Sequence, residues 1–210
     1  MKPVSPIAVS LAAALAAACT ASPPAPPPAA AAVSSAAAAP APASAEPAPQ
    51  LAAAPGPQDD LVGKAAPDFT ATAQDGTTFH LAAAKGKPVV VYFYPKDETP
   101  GCTKEACSFR DAWEALAKTG AVLVGVSADS AQSHKDFVAR YKLPFLLVSD
   151  RDNAIGRSYG VPFETHHQRQ TFVIGADGVV RKVYRKVDVT VHAAQVLEDV
   201  NHLAHDARGS

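Results

Sequence analysis

The chain has 210 residues with a formal net charge of −1, 48% hydrophobic residues, only 7% aromatic ones, 19 prolines and 3 cysteines. The near balance of 19 basic and 20 acidic residues offers no basic field for nucleic acid or an anionic membrane, and three cysteines are too few for a disulfide scaffold. Composition is uneven along the chain: residues 1–58 hold 13 of the prolines and 24 alanines, with only Lys2 and Glu46 as charges, which leaves residues 59–210 as one ordinary domain.

Residues 1–18 read as a secretory signal. Lys2 supplies the positive start, and residues 7–18 form an apolar run of 12, too short to span a hydrocarbon core of about 30 Å as a helix. The string Leu15-Ala16-Ala17-Ala18-Cys19 resembles a bacterial lipoprotein box, which would make Cys19 the lipidated first residue of the mature chain. Leu15 sits four residues before the cysteine where that pattern prefers three. The competing readings are secretory cleavage at an Ala-x-Ala site that discards Cys19, and an uncleaved or cytosolic chain. The first two imply export to the periplasmic side of a bacterial cell envelope, the first of them with a lipid anchor. Residues 19–58 are expected to be a disordered Ala/Pro-rich linker, since they hold too little large apolar surface to offset the entropy of ordering.

From Leu61 onward, short apolar runs alternate with amphipathic stretches. Residues 69–73 and 77–81 flank Asp75-Gly76, a hairpin signal because the pair supplies the positive φ of a tight turn. Residues 89–94 (VVVYFY) predict a strand buried on both faces, with similar runs at 121–126 and 145–148. Residues 171–174 and 179–184 bracket Asp177-Gly178, a second hairpin signal. Ala106, Phe109, Trp113 and Leu116 predict one helix face, Phe137, Val138 and Tyr141 a second, and Val196, Leu197, Val200 and Leu203 a third. Two hairpins combined with strand–helix alternation give an α/β domain with a mixed sheet flanked by helices.

The chemistry concentrates after the first long strand, in Pro95-Lys96-Asp97-Glu98-Thr99-Pro100-Gly101-Cys102. Ligands of α/β sheets bind beyond the carboxyl ends of strands. Cys102 falls at or within the first turn of the following helix, where unpaired N–H groups and the dipole favour a thiolate over a thiol of ordinary pKa, about 8.5. An accessible thiolate is a reactive or redox group, while the bland alternative is a small buried hydrophobe. Cys107 lies about 7.5 Å further along an ideal helix, turned away from Cys102, so a static disulfide would conflict with the helix and a transient one would require unwinding. No nearby ligand set completes a zinc site. His202 and His205 are expected at the surface, and His166 and His167 as a solvated pair able at most to modulate the pH response. Lys104, Glu105 and Arg110 read equally well as charge tuning or as ordinary exposed-helix charges.

Residues 92–111, YFYPKDETPGCTKEACSFRD, resemble the atypical two-cysteine peroxiredoxins of the bacterioferritin comigratory protein or peroxiredoxin Q type. Ala66-Pro67-Asp68-Phe69, residues 125–127, Tyr159-Gly160-Val161 and RQTFVIGADG at 169–178 extend the resemblance over nearly the whole domain. It implies a thioredoxin-like fold with peroxiredoxin additions and a thiol peroxidase acting on hydrogen peroxide and organic hydroperoxides, without a cofactor. Cys102 would be the peroxidatic cysteine and Cys107 the resolving one. Thr99 would orient thiolate and peroxide, Pro95 would shield the site from water, and Arg169 would stabilise thiolate and developing oxyanion. The implied reductant is thioredoxin-like or glutaredoxin-like, and an intramolecular disulfide implies a monomer. Residues 161–168 (VPFETHHQ) depart from relatives with a longer loop here. The alternatives are an envelope thiol–disulfide oxidoreductase acting on protein disulfides and a non-catalytic thioredoxin-like binding module.

Overall fold

The computed structural model describes residues 61–206; the expected leader and linker, with Cys19, lie outside the described residues. At the front of the domain, Thr70–Thr72 (β1) and Thr78–His80 (β2) pair antiparallel across the expected turn. Gly76 takes φ +85°, which costs a residue without Cβ nothing. The Asp75 carboxylate accepts from the Thr77 N–H and hydroxyl at 2.9 and 2.6 Å, closing the turn. Ala73 then bridges to Val148 and ties the hairpin to the main sheet.

That sheet has five strands: Val89–Phe93 (β3), Val122–Ser127 (β4), Leu146–Ser149 (β5), Gln170–Ile174 (β6) and Val180–Tyr184 (β7). Their order is β5-β4-β3-β6-β7, parallel through β5, β4 and β3 and antiparallel from β3 to β6 to β7. The central strand explains why VVVYFY carries no charged residue. Successive side chains point to opposite faces, so Val89, Val91 and Phe93 enter one core with Phe69, Phe79, Tyr159 and Phe172. Val90, Tyr92 and Tyr94 enter another with Phe109, Leu116, Phe137, Val196 and Val200.

The helices are Pro100–Asp111 (α1), Trp113–Lys118 (α2), Ala131–Tyr141 (α3), Ala154–Ser158 (α4) and His192–Asp206 (α5). The single helix expected over Ala106 to Leu116 is two, divided at Ala112 with φ −83° and ψ −2°. Nothing in an alanine favours a break. Packing redirects the chain here, because Ala106, Phe109 and Leu116 all remain buried in the second core despite the change of axis. For the site, the decisive register is Phe93 opposite Gln170. It brings the residue before β6, Arg169, to the carboxyl end of β3, where the chain leaves for α1.

Candidate active site

Thr99, in extended geometry at φ −72° and ψ 148°, precedes α1, and Pro100 opens it. Proline suits this position because its missing N–H would be unpaired in any case. Cys102 is therefore the third helical residue, among N–H groups that have no helical acceptor and at the positive end of the helix. The Thr99 carbonyl accepts the first helical hydrogen bond from the Thr103 N–H at 2.8 Å. Its hydroxyl does not cap the helix; it donates to the Lys96 carbonyl at 3.0 Å. Between them, Glu98 is held at φ +62°, a region that costs a non-glycine residue of order 1 kcal/mol or more. The Glu98 side chain pairs with Arg140 of α3.

Arg169 joins the two sides of the site. Its Nη2 donates to Cys102 Sγ at 3.1 Å, and its Nη1 pairs with the Glu105 carboxylate. A planar guanidinium can serve both because its donors are fixed in a fork. Burial alone would pull the Arg169 pKa down, but Glu105 and Cys102 outweigh it and raise it, so the charge is secure. Glu105 is only 1% exposed; burial pushes its carboxyl up to about 7 in spite of Arg169. Its Oε1 has no hydrogen-bond donor among the described residues, and His192 Nε2 stands 3.9 Å away. Burial and then Arg169 push His192 down to about 4, leaving a neutral imidazole bonded to Thr171 Oγ1 at 2.9 Å.

Cys102 and Cys107 are both buried on α1, and neither is in a disulfide. Their placement on one continuous helix keeps the two sulfurs apart while the helix is intact. Pro95 and Arg169 line a surface cavity of about 450 Å³, whose remaining wall is residues 164–168. Cys102, Arg169, Thr99 and Pro95 thus come together at one end of β3, with Cys107 further along the same helix.

Several functional neighbours escaped the sequence reading. Glu105 is not an exposed helix charge but the buried partner of Arg169. His167 is not one of a solvated pair: it is 1% exposed and contacts Asp150 Oδ2 at 3.0 Å, whereas His166 is exposed and bonded to Thr165. The only advance signal for His167 was its place in an otherwise short connection. Asp97 and His134 form a second buried pair behind the thiol loop, at 2.8 Å.

Residues 62–183 match the model of the AhpC/TSA family. The chain belongs to that family. Its relatives place it among the peroxiredoxins of the peroxiredoxin Q and bcp kind: it is 54% identical over 125 residues to a chloroplastic peroxiredoxin Q of rice (Oryza sativa subsp. japonica), covering 58% of each chain. It is 46% identical over 144 residues to a peroxiredoxin bcp of Coxiella burnetii, covering 65% of this chain and 95% of that one. The match therefore spans less than two-thirds of the plant relative's length and nearly all of the bacterial one. Among solved structures, the bacterioferritin comigratory protein of Xanthomonas campestris is similar at a TM-score of 0.62 and 38% identity, covering 65% of this chain and 92% of that one. BcpB of Mycobacterium tuberculosis is similar at 0.64 and 32%, covering 68% and 97%. This peroxiredoxin has the expected thioredoxin-like fold, with a five-stranded mixed sheet, flanking helices and an N-terminal hairpin.

The same comparison corrects the expected location. Residues 1–19 alone suggest the periplasmic side of a bacterial envelope, lipid-anchored or secreted, but the relatives are named as chloroplastic peroxiredoxin Q proteins and a bacterial bcp. The envelope reading rested on residues 1–19 alone, which lie outside the described residues. The family evident in the domain lends that reading no support, and it is withdrawn.

Proposed function

We propose that this peroxiredoxin is a thiol-dependent peroxidase whose attacking group is the Cys102 thiolate. The observation that carries the reading is the 3.1 Å contact from Arg169 Nη2 to Cys102 Sγ at the start of α1. A fixed cation and the helix N-terminus together favour the anionic nucleophile. The same donors are preorganised for the negative charge that passes to the peroxide oxygens in the transition state.

The thiolate attacks one oxygen of the peroxide, an S–O bond forms, and the O–O bond breaks. Cys102 becomes a sulfenic acid, and the departing alkoxide or hydroxide takes a proton from water to leave as alcohol or water. Thr99 contributes through its lone pairs. Its O–H is already committed to the Lys96 carbonyl, so its oxygen is left to accept the peroxide O–H and orient it. Pro95 shields one rim of the cavity with a side chain that neither donates nor accepts. The Cys107 thiol then condenses with the sulfenic acid, releasing water and leaving a Cys102–Cys107 disulfide, a step that requires α1 to unwind. A dithiol donor of the thioredoxin-like or glutaredoxin-like class takes up the oxidising equivalents by exchange. Hydrogen peroxide and organic hydroperoxides are the proposed substrates; the Xanthomonas campestris relative is described as having alkyl peroxide reduction activity.

Peroxide consumption by the purified chain with dithiothreitol tests this. Cys102→Ser is expected to abolish turnover, and full activity in that variant would overturn the assignment. Cys107→Ser assayed with a thioredoxin-type donor is expected to consume about one equivalent of peroxide and stop. Undiminished turnover with that donor would exclude Cys107 as the resolving thiol.

A further inference from the structure

The loop between β3 and α1 carries Pro95 and Thr99, yet it also buries a charged side chain, Asp97, 5% exposed. Three donors converge on that carboxylate: Tyr94 Oη at 2.7 Å on Oδ1, and Ser133 Oγ at 2.7 Å and His134 Nδ1 at 2.8 Å on Oδ2. His134 is fully buried in the first turn of α3, and its Nε2 faces the Val148 carbonyl of β5 at 3.2 Å. The ring is thus held from both sides, by the Asp97 carboxylate at Nδ1 and the Val148 carbonyl at Nε2. Asp97 also donates its backbone N–H to Asp129 Oδ2 at 2.8 Å.

That last bond reaches the site directly. The Asp97 N–H and the Lys96 carbonyl belong to one planar peptide unit, so fixing the first fixes the second. The Lys96 carbonyl is the acceptor for the Thr99 hydroxyl. We propose that the buried Asp97–His134 pair, with Tyr94, Ser133 and Asp129, is a positioning device for Thr99: it sets the Lys96–Asp97 peptide plane and so aims the Thr99 lone pairs at the incoming peroxide. A buried carboxylate, however well bonded, is a poor way to gain stability over apolar packing. It is a good way to hold one loop conformation, including the left-handed Glu98 that follows. The inference rests on the peroxidase reading.

The test compares two reactions of Cys102 in the full-length protein: the second-order rate with hydrogen peroxide, and alkylation by iodoacetamide followed at that residue by peptide mass. Peroxide needs Thr99 aimed; iodoacetamide needs only the thiolate. Tyr94→Phe and Ser133→Ala each delete one bond to Asp97 and are expected to slow peroxide reduction about two- to fivefold, the size of one hydrogen bond. His134→Leu is expected to slow it about tenfold or more, and His134→Asn, whose amide still donates to Asp97, to recover most of that loss. Alkylation is expected to stay within about twofold throughout. Peroxide rates that stay at wild-type level in the variants, or that fall only in step with alkylation, overturn the inference. Tyr94→Phe and Ser133→Ala decide the matter if His134→Leu does not fold. A wild-type chain that consumes no peroxide overturns the peroxidase reading and this inference with it, whereas an active wild type with unresponsive variants overturns the inference alone.

Discussion

Two segments meet at the Cys102 sulfur, the loop ahead of α1 and the connection ahead of β6, and a buried histidine–aspartate pair fastens each of them. The pairs are built in opposite senses. On the thiol side the carboxylate belongs to the loop and the histidine to α3. On the arginine side the histidine, His167, belongs to the connection, and the carboxylate, Asp150, to the segment that starts α4. Asp150 has a second task, accepting the N–H groups of Ile155 and Gly156 at 3.0 and 2.7 Å. The fit there is tight, because a Cβ on Gly156 would lie 2.6 Å from His167 Nε2. On the thiol side the tasks are divided: Ser130 caps α3 by accepting from the Ser133 N–H, and Asp97 holds the loop. The arginine side thus merges fold stability with site geometry, and the thiol side separates them.

The largest effect should come where the two are merged. Asp150→Ala leaves two helix N–H groups without their acceptor and His167 Nε2 with only the Asn153 Oδ1 contact at 3.1 Å, and breaking a buried pair of this kind costs about 3–5 kcal/mol. Urea denaturation should show that loss, with peroxide turnover falling only as the folded fraction falls. Next comes the arginine itself. Arg169→Lys keeps a charge but loses the fork that reaches Cys102 and Glu105 together, and peroxide reduction should fall about 100-fold or more, as when a preorganised oxyanion donor is removed. A loss under tenfold would show that the cation matters here more than its geometry.

The third effect separates the carboxylates by pH. Burial raises Glu105 from 4.5 to about 7, so the folded state holds that proton more tightly than the unfolded chain. Its contribution to stability is complete below pH 4.5 and is lost as pH rises through 7. Asp97 and Asp150 act in the other direction. Burial alone would raise them, but the hydrogen bonds from His134 and His167, with their other donors, hold both below 3.8. Their contribution is present above pH 3.8 and lost as pH falls below it. Glu105→Gln should therefore flatten the decline in stability between pH 4.5 and 7 by about 3 kcal/mol, at ~1.4 kcal/mol for each pKa unit, while leaving the acid edge where it is. An unchanged slope in urea denaturation across that range would mean that Glu105 stays ionised.

How much of this could be read from the sequence depends on where each partner lies. The central strand was legible because VVVYFY is a local statement, and Cys102 because Pro100 and Gly101 announce the helix that places it. Arg169 came from a family motif rather than from any local pattern. For Glu105 the sequence left charge tuning and an exposed-helix charge equally open, because its helical neighbour Lys104 is exposed and the partner that buries it lies 64 residues away. His134 and His167 were invisible or misread for the same reason: their carboxylates stand 37 and 17 residues off, brought close only by the order of the strands. The break at Ala112 had no side-chain signal at all, since it is imposed by the core on the best helix former.

The smallest expected effect is also the cleanest check on the division of tasks. Ser130→Ala removes the side-chain acceptor of the Ser133 N–H at 3.2 Å and nothing else that reaches Asp97. Losing an N-cap costs about 1 kcal/mol, and urea denaturation should show that much. The Ser133 hydroxyl and the His134 ring keep their own bonds to Asp97, and the His134 N–H still has the Ser130 carbonyl at 3.0 Å. The first turn of α3 is therefore weakened without being re-aimed, and the rate of Cys102 with peroxide should change less than about twofold, within the roughly 0.5 kcal/mol that a bystander substitution moves. A Ser130→Ala protein that lost peroxide reactivity in proportion to its stability would show that the cap and the loop act as one unit, and that the thiol side is built like the arginine side after all.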